Sequence, residues 1–226
     1  MLISKFKNLF NKKHRIIKNI GKNNIIEIDD DISCNVKVVG DGNSIRIRNN
    51  SNIKNSNECK SKFVINIFGN KNCINIDDIN NNGGELNIDI GNYTGCNDVK
   101  IDIGKHLVFG SVYILAYQHN VPIKIGEDCL MSNGIVIRSG ELPHIIYDTT
   151  DKRDLDRSEG IFIGDHVWVG QNVFIMKNVS IPNNAIIGSC SVVTKRFSNE
   201  NVVIAGNPAK ICREHVNWAL TEDDIK

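Results

Sequence analysis

The sequence predicts an all-β protein folded as a parallel β-helix, and its composition is the first reason. The 226 residues include 36 Ile and 32 Asn but only 4 Pro. β-Branched side chains pack well on sheets and lose rotamer freedom in helices. Asn tolerates the left-handed backbone of tight corners. This composition favours many short strands joined by many tight turns.

A period of six residues is the second reason. From Ile163 onward an aliphatic residue recurs at every sixth position: Ile163, Val169, Ile175, Ile181, Ile187 and Val193. This period differs from that of an α-helix and fits a coil of three short strands, each taking six residues with its corner. The aliphatic side chains then stack inside a prism, where burial stabilises by roughly 1.5–3 kcal/mol per side chain. The pattern recurs less regularly further back, at Ile103, Phe109 and Leu115, and the β-helix domain is predicted to span 23–205.

Three segments fall outside the repeat. The polar stretch at about 138–162 cannot lie inside the prism, so it is expected to form a loop that projects from a corner. Ile211 and Trp218 share a helical spacing, which predicts a short C-terminal helical cap over 206–226. Residues 1–22 carry basic but no acidic side chains and are expected to form a basic amphipathic N-terminal cap. Such a cap also suits weak association with a membrane surface.

Charge and cysteine content exclude several classes of protein. Lys and Arg number 27 against 26 Asp and Glu, so no overall positive field exists to attract nucleic acid. No apolar run approaches the roughly 18 residues that a membrane-spanning helix needs. The seven Cys residues form no C-x-x-C pair, which indicates reduced thiols and a cytoplasmic location rather than a disulfide framework.

The repeat also carries a family resemblance. The segment I-F-I-G-D-H-V-W-V-G-Q-N-V-F-I-M-K-N-V-S-I-P-N-N-A-I-I-G-S-C-S-V-V-T-K at 161–195, followed by V-V-I-A-G-N-P-A-K-I-C-R at 202–213, resembles the bacterial hexapeptide-repeat acyltransferases. L-P-H-I-I-Y-D at 142–148 stands where galactoside and maltose acetyltransferases have G-H-P, and is more similar to the polysialic-acid and capsule O-acetyltransferases. The resemblance implies a left-handed parallel β-helix, a homotrimer and acetyl-CoA as co-substrate. It also implies a sugar or surface polysaccharide as the acetyl acceptor.

Transfer of an acetyl group from a thioester to a hydroxyl needs a base for the hydroxyl proton and donors for the developing oxyanion. A neutral imidazole, with an ordinary pKa of roughly 6.5, contributes about 10²–10⁴-fold as such a base. By resemblance, His144 in the projecting loop is the predicted catalytic base. Trp168 matches a family Trp beside the thioester, although a packing role on the outer surface would also explain it. His119 and Tyr147 are predicted to contact the acceptor, with His119 serving the site of a neighbouring subunit.

The resemblance also implies a path for the coenzyme in the groove between two β-helices. The residues expected to line it are Gly170, Ser189, Thr194 and Lys195, with Lys210 and Arg213 reaching the phosphates or the adenine end. Cations suit the negative charges of coenzyme A, although each could instead be an ordinary solvated surface charge.

Alternatives remain open at this stage. The same base would serve an N-acetyltransferase that acts on an amino sugar nucleotide. A zinc enzyme similar to γ-class carbonic anhydrases would use His119, His144 and His166 across a subunit interface, whereas acetyl transfer needs no metal. A non-catalytic carbohydrate-binding β-helix is a further alternative. The residues choose neither the acceptor sugar, including whether it is acidic, nor whether Glu141 or Asp148 orients His144.

Overall fold

The computed structural model describes residues 15–30, 32–49, 61–79, 83–91 and 94–221. These residues form 21 strands and no helix. The strands are β1 Arg15–Ile20, β2 Ile25–Ile28, β3 Ser33–Val39, β4 Ser44–Ile47, β5 Lys62–Phe68, β6 Cys73–Ile76, β7 Glu85–Ile90, β8 Lys100–Ile103, β9 Val108–Phe109, β10 Ser111–Ala116, β11 Pro122–Ile125, β12 Leu130–Met131, β13 Ile135–Arg138, β14 Ile161–Ile163, β15 Trp168–Val169, β16 Phe174–Ile175, β17 Ser180–Ile181, β18 Ile186–Ile187, β19 Val192–Val193, β20 Val202–Gly206 and β21 Ala209–Glu214.

The strands form three sheets that run along a parallel β-helix. The first sheet has the order β1-β3-β5-β7-β10-β13-β16-β19, the second β2-β4-β6-β8-β11-β14-β17, and the third β9-β12-β15-β18-β20-β21. In the regular part, Trp168 pairs with Ile186, eighteen residues further along the chain, or three repeats of six. From β1 to β8 the strands alternate between the first two sheets, and the third sheet begins only with β9. The prediction of a parallel β-helix is confirmed, with two strands per coil in the N-terminal half.

The core follows the six-residue period. Each of the aliphatic residues from Ile163 to Val193 that defined the repeat is buried. Leu115, placed in the core by the less regular pattern, is instead only partly buried because β10 has six residues and turns Val112, Ile114 and Ala116 inward. Alternation along a strand fixes which side chains face the core, so a longer strand shifts the register.

The conformation of the corner residues explains the high Asn content. The residues with positive φ in the regular coils are His166, Asn172, Asn178, Asn184 and Cys190, again six apart, with φ between 54° and 61°. Asn adopts this left-handed conformation more readily than most residues. The prediction that Asn occupies the corners is confirmed.

Buried Asn side chains also join the N-terminal coils. The Asn24 side-chain oxygen accepts from the Asn43 N–H at 2.8 Å, and the Asn43 oxygen accepts from the Asn72 N–H at 3.0 Å. The Asn72 oxygen accepts in turn from the Val99 N–H at 3.0 Å. Because Asn43 and Asn72 are buried, this ladder satisfies backbone groups that would otherwise lose their hydrogen bonds.

The predicted C-terminal helical cap over 206–226 is wrong for residues 206–221, which contain no helix, and residues 222–226 lie outside the described residues. Residues 202–214 form a hairpin in which β21 runs antiparallel to β20, and β20 pairs with β18 in the third sheet. The last coil leaves the backbone groups of β20 open at the sheet edge, and an antiparallel strand satisfies them as a helix could not. The helical spacing of Ile211 and Trp218 does not outweigh these backbone bonds.

The predicted N-terminal boundary also changes. Residues 1–14 of the expected cap at 1–22 lie outside the described residues. Arg15–Ile20 forms β1, which pairs with β3 from Arg15↔Cys34 to Ile20↔Val39. The β-helix therefore includes Arg15 onward and does not start at residue 23. No helix in the described part of the chain is long and apolar enough to cross a membrane.

Candidate active site

The predicted loop leaves the β-helix where the first sheet passes to the second. It connects β13, which ends at Arg138, to β14, which starts at Ile161. Residues 139–160, hereafter the flap, fold back on themselves through a bridge between Tyr147 and Asp154. The Asp148 carboxylate accepts from the Thr150 side chain and from its N–H at 2.7 Å, and these bonds lower the pKa of Asp148. The flap is thus a loop that folds back on itself at the Tyr147–Asp154 bridge.

An open cavity of about 850 Å³ lies between the flap and the preceding corners. The corners supply Asn97, Asp98, Gln118, His119 and Asn120, and the flap supplies Glu141, Leu142, His144, Ile145, Asp154, Asp156, Arg157, Ser158 and Glu159. The structure therefore brings together His144 and His119, two of the predicted site residues, in one chain, whereas His119 was expected to serve the site of a neighbouring subunit.

A backbone hydrogen bond holds His144, and the residue lines the cavity. Its N–H donates to the Glu141 carbonyl at 3.0 Å, and its side chain is exposed. The two predicted candidates for orienting the imidazole have other partners: the Glu141 carboxylate pairs with Arg138 at 2.6 Å, and that of Asp148 with Thr150. An exposed neutral imidazole can accept a proton from a bound hydroxyl.

His119 lies on the opposite side of the cavity from the flap, at the corner between β10 and β11. Its Nδ1 accepts a hydrogen bond from the Asn97 N–H at 3.1 Å. Asn97 lies at the equivalent corner one coil earlier, between β7 and β8. Tyr147, predicted to contact the acceptor, lies outside this cavity, half exposed, with the Lys152 ammonium 5.1 Å from its ring centre.

Most of the acidic side chains in the cavity are already neutralised. Glu141 pairs with Arg138, Asp156 with Lys177 and Glu159 with Arg196, and these three cations lie outside the lining. Arg157 belongs to the lining itself. Sequence reasoning missed the Asp156–Lys177 pair because the register that joins the flap to β16 is not visible in a residue pattern.

Trp168 lies elsewhere in the chain. It is on β15 in the third sheet, 39% exposed, and its ring centre is 6.2 Å from that of Trp218. Trp218 stacks on His166 at 4.2 Å, and its indole N–H donates to the His166 carbonyl at 2.9 Å. His166 is thus a corner residue in contact with the C-terminal segment. Within one chain, neither Trp168 nor His166 shares the cavity of His144.

The predicted coenzyme residues occupy three places. Gly170 and Ser189 stack between the third and first sheets, where a Cβ on Gly170 would lie 2.8 Å from the Ser189 hydroxyl. Thr194 and Lys195 are exposed after β19. Lys210 and Arg213 are exposed on β21, beyond β20 in the third sheet. Of the six predicted coenzyme residues, Gly170 and Ser189 are therefore the two that stack directly on each other.

Two of the thiols, those of Cys96 and Cys129, are buried in the prism. Burial raises the pKa of Cys96 to about 11 and that of Cys129 to about 12. Cys190 and Cys212 are exposed. Among the described residues, no three His, Cys, Asp or Glu side chains form a group that could hold a metal ion.

Comparison with known proteins identifies the repeat in the sequence, and solved structures match the fold. Residues 160–195 match the bacterial transferase hexapeptide family, described as six repeats. The chain is 35% identical over 152 residues to a polysialic acid O-acetyltransferase of Neisseria meningitidis, covering 66% of this chain and 63% of that protein. It is 31% identical over 124 residues to one of Escherichia coli O1:K1 / APEC, covering 54% of this chain and 39% of that protein. The chain thus spans less than two thirds of the length of either relative.

Two solved structures cover nearly the whole chain. The crystal structure of the polysialic acid O-acetyltransferase OatWY superimposes with a TM-score of 0.72 and 29% identity, covering 92% of both chains. The polysialic-acid-specific acetyltransferase NeuO superimposes with a TM-score of 0.72 at 23% identity, covering 96% of this chain and 93% of that one, and shares the fold. Residues 160–195 thus carry the bacterial transferase hexapeptide repeat, and the chain shares the left-handed parallel β-helix fold of these solved structures.

Proposed function

We propose that this protein is an O-acetyltransferase that moves the acetyl group of acetyl-CoA to a hydroxyl of a bacterial surface polysaccharide. One observation carries the proposal. A structured flap holds His144 over a cavity of about 850 Å³, in a chain whose fold matches a polysialic acid O-acetyltransferase over 92% of both chains.

The exposed His144 imidazole supplies the base. As the acceptor oxygen attacks the thioester carbonyl carbon, the hydroxyl proton moves to the imidazole and a tetrahedral oxyanion forms. Collapse of that intermediate forms the ester carbonyl, breaks the carbon–sulfur bond and releases the coenzyme as a thiolate. The imidazolium returns the proton to the sulfur, so the base is regenerated without a covalent enzyme intermediate.

A second subunit completes the proposed site. Trp168 lies on the third sheet, away from the cavity of its own chain, so its proposed place beside the thioester belongs to the site of a neighbour. The flap exposes Ile145, Ile146 and Leu155, each by more than half. Exposed apolar side chains grouped on one projection are typical of an interface, which supports contact with a second copy, and the proposed assembly is the homotrimer that the family resemblance implies.

The proposed coenzyme path follows the three places described above. Gly170 and Ser189 stack closely on adjacent coils, and the pantetheine arm is proposed to run along them. Thr194 supplies a hydroxyl, and Lys195, Lys210 and Arg213 are exposed cations that suit the phosphates. We place the reaction in the cytoplasm, where acetyl-CoA is available and thiols such as Cys190 and Cys212 stay reduced.

The proposed acceptor is an acidic polysaccharide. Three carboxylates of the cavity are neutralised by cations outside its lining, which reduces their repulsion of an anionic ligand. Arg157 at the cavity can pair with a sugar carboxylate. The two curated relatives described above are polysialic acid O-acetyltransferases.

The test is release of coenzyme A thiol from acetyl-CoA by the purified protein with a panel of surface polysaccharides. The panel includes polysialic acid, the same polymer with its carboxyl groups reduced, and amino sugar nucleotides. We expect thiol release with the acidic polymer and an acetyl group on the product that hydroxylamine removes, as it removes an ester. A hydroxylamine-resistant amide would identify an N-acetyltransferase, and no release with any saccharide would contradict the proposal.

A further inference from the structure

The two imidazoles at the cavity have different hydrogen-bonding states. The Nδ1 of His119 accepts the Asn97 N–H at 3.1 Å. A ring nitrogen that accepts a hydrogen bond carries no proton, so the neutral ring must carry its proton on Nε2. His119 therefore presents a donor, whereas a general base such as His144 must present a lone pair.

The chain holds this state through two bonds between adjacent coils. Beside the bond to His119 Nδ1, the Asn120 N–H donates to the Asn97 carbonyl at 3.0 Å. The Asn97 backbone thus donates to His119 and accepts from Asn120. Asn120 has a φ of 56°, the left-handed conformation that turns the chain at this corner. The register of the β-helix therefore fixes both the tautomer and the position of His119.

We infer that His119 is a fixed hydrogen-bond donor of the acceptor site. Its Nε2–H donates to a saccharide oxygen, a hydroxyl or a carboxylate oxygen, next to the hydroxyl that His144 deprotonates. The inference rests on the proposed function and deepens it, because it assigns opposite tasks to two histidines that line one cavity. A donor preset by the backbone needs no reordering when the acceptor binds.

Two substitutions separate the donor from the structural bond. In His119→Asn, the side-chain oxygen stands near the position of Nδ1, so it can keep the bond from Asn97 and lacks the distal donor. In His119→Gln, the amide stands near the position of Nε2, so it keeps a donor and gives up the bond from Asn97. His215→Asn is the matched control, because His215 follows β21 outside the cavity.

We expect His119→Asn to raise the KM for the polysaccharide at least about fivefold, as loss of one hydrogen bond to substrate does, with kcat little changed. Its melting temperature and its KM for acetyl-CoA should match those of the wild type. His119→Gln should recover most of the acceptor KM with a lower melting temperature, and His215→Asn should change neither. Carboxyl-reduced polymer distinguishes the two oxygen types, because a carboxylate partner predicts a smaller effect of His119→Asn with that polymer.

A measurement independent of turnover uses ¹⁵N-labelled histidine and NMR of the wild type at neutral pH. The expected result for His119 is a protonated Nε2 and an unprotonated Nδ1. A protonated Nδ1, or an unchanged acceptor KM in His119→Asn, would overturn the inference while the transferase activity stands. If the wild type transfers acetyl to no saccharide, the proposed function fails and this inference fails with it.

Discussion

At the scale of single residues, burial decides which side chains can react. Cys129 packs in the prism and its thiol donates to the Gly164 carbonyl at 3.3 Å, whereas Cys190 and Cys212 are exposed. The attacking species in alkylation is the thiolate. Because burial raises the pKa of Cys129 to about 12, almost none of it is thiolate in mildly alkaline solution.

We therefore predict selective alkylation of the native protein. Iodoacetamide at mildly alkaline pH should label Cys190 and Cys212 and leave Cys96 and Cys129 unmodified, as measured by peptide mass spectrometry. Protein unfolded in urea is the control, in which the buried thiols should also react. Labelling of Cys129 at the rate of Cys212 in native protein would show that the prism admits reagent.

The same thiols make stability depend on alkaline pH. Their folded-state pKa values, about 11 for Cys96 and about 12 for Cys129, lie above the 9.0 of an ordinary thiol. The unfolded chain therefore loses these protons first, so the stabilisation is complete below about pH 9 and is lost as pH rises above it. We predict that the urea unfolding free energy falls from about pH 9 to 11 and falls less in Cys129→Ala. An identical slope in the two proteins would refute this.

Sequence reasoning predicts which residues belong to the site but not the hydrogen bonds between them. His144 and His119 were predicted and share the cavity. The Asn97 bond that fixes His119 was not predicted, because it joins corners of adjacent coils and depends on the register between β7–β8 and β10–β11. A spacing pattern shows which residues occupy corners and not which atoms meet.

At the scale of elements, the close stacking of corners controls stability. Gly69 has a φ of 133°, and a Cβ there would overlap the Cys96 carbonyl of the next coil. Gly42 also has a positive φ, 68°, but a Cβ there would meet only the Lys71 side chain at 3.7 Å. A substituted residue would therefore have a strained backbone at either position, but only at Gly69 would its Cβ also overlap a neighbouring atom.

We predict that Gly42→Ala costs about 1–2 kcal/mol, the cost of a left-handed conformation for a residue with a Cβ. Gly69→Ala should cost several kcal/mol more, because the backbone of the next coil must move. Urea unfolding of both variants measures the difference. Equal unfolding free energies would contradict the corner geometry.

Element boundaries were predicted unevenly, for a physical reason. The regular coils from β14 to β19 repeat a strict six-residue period, and each strand has two or three residues. The C-terminal hairpin was missed because β21 forms to pair with the open edge of β20. That edge exists only in the folded protein, so a residue pattern does not show it. The N-terminal coils use longer strands, such as the seven residues of β3, so their two-stranded form was not apparent from a weak repeat.

At the scale of the whole molecule, each proposed site needs two subunits. His144 and Trp168 lie on different sides of one chain, so each proposed site takes one residue from each neighbour. We predict that His144→Ala and Trp168→Ala are each poorly active alone and that their co-expression restores activity. In the proposed homotrimer, assemblies that mix the two variants would contain some interfaces where both residues are intact.

The control for complementation mixes the two purified variants without subunit exchange, which should restore nothing. Activity of co-expressed protein no greater than the sum of the single variants would show that both residues act within one chain.

The role of His144 is measured by comparing wild type and His144→Ala with radiolabelled acetyl-CoA and an acidic polysaccharide. Because the His144 side chain is exposed, its removal should leave the melting temperature unchanged. We expect hydroxylamine-sensitive label on the polymer and a transfer rate at least about 100-fold lower in the variant. Transfer by His144→Ala at the wild-type rate would contradict the account.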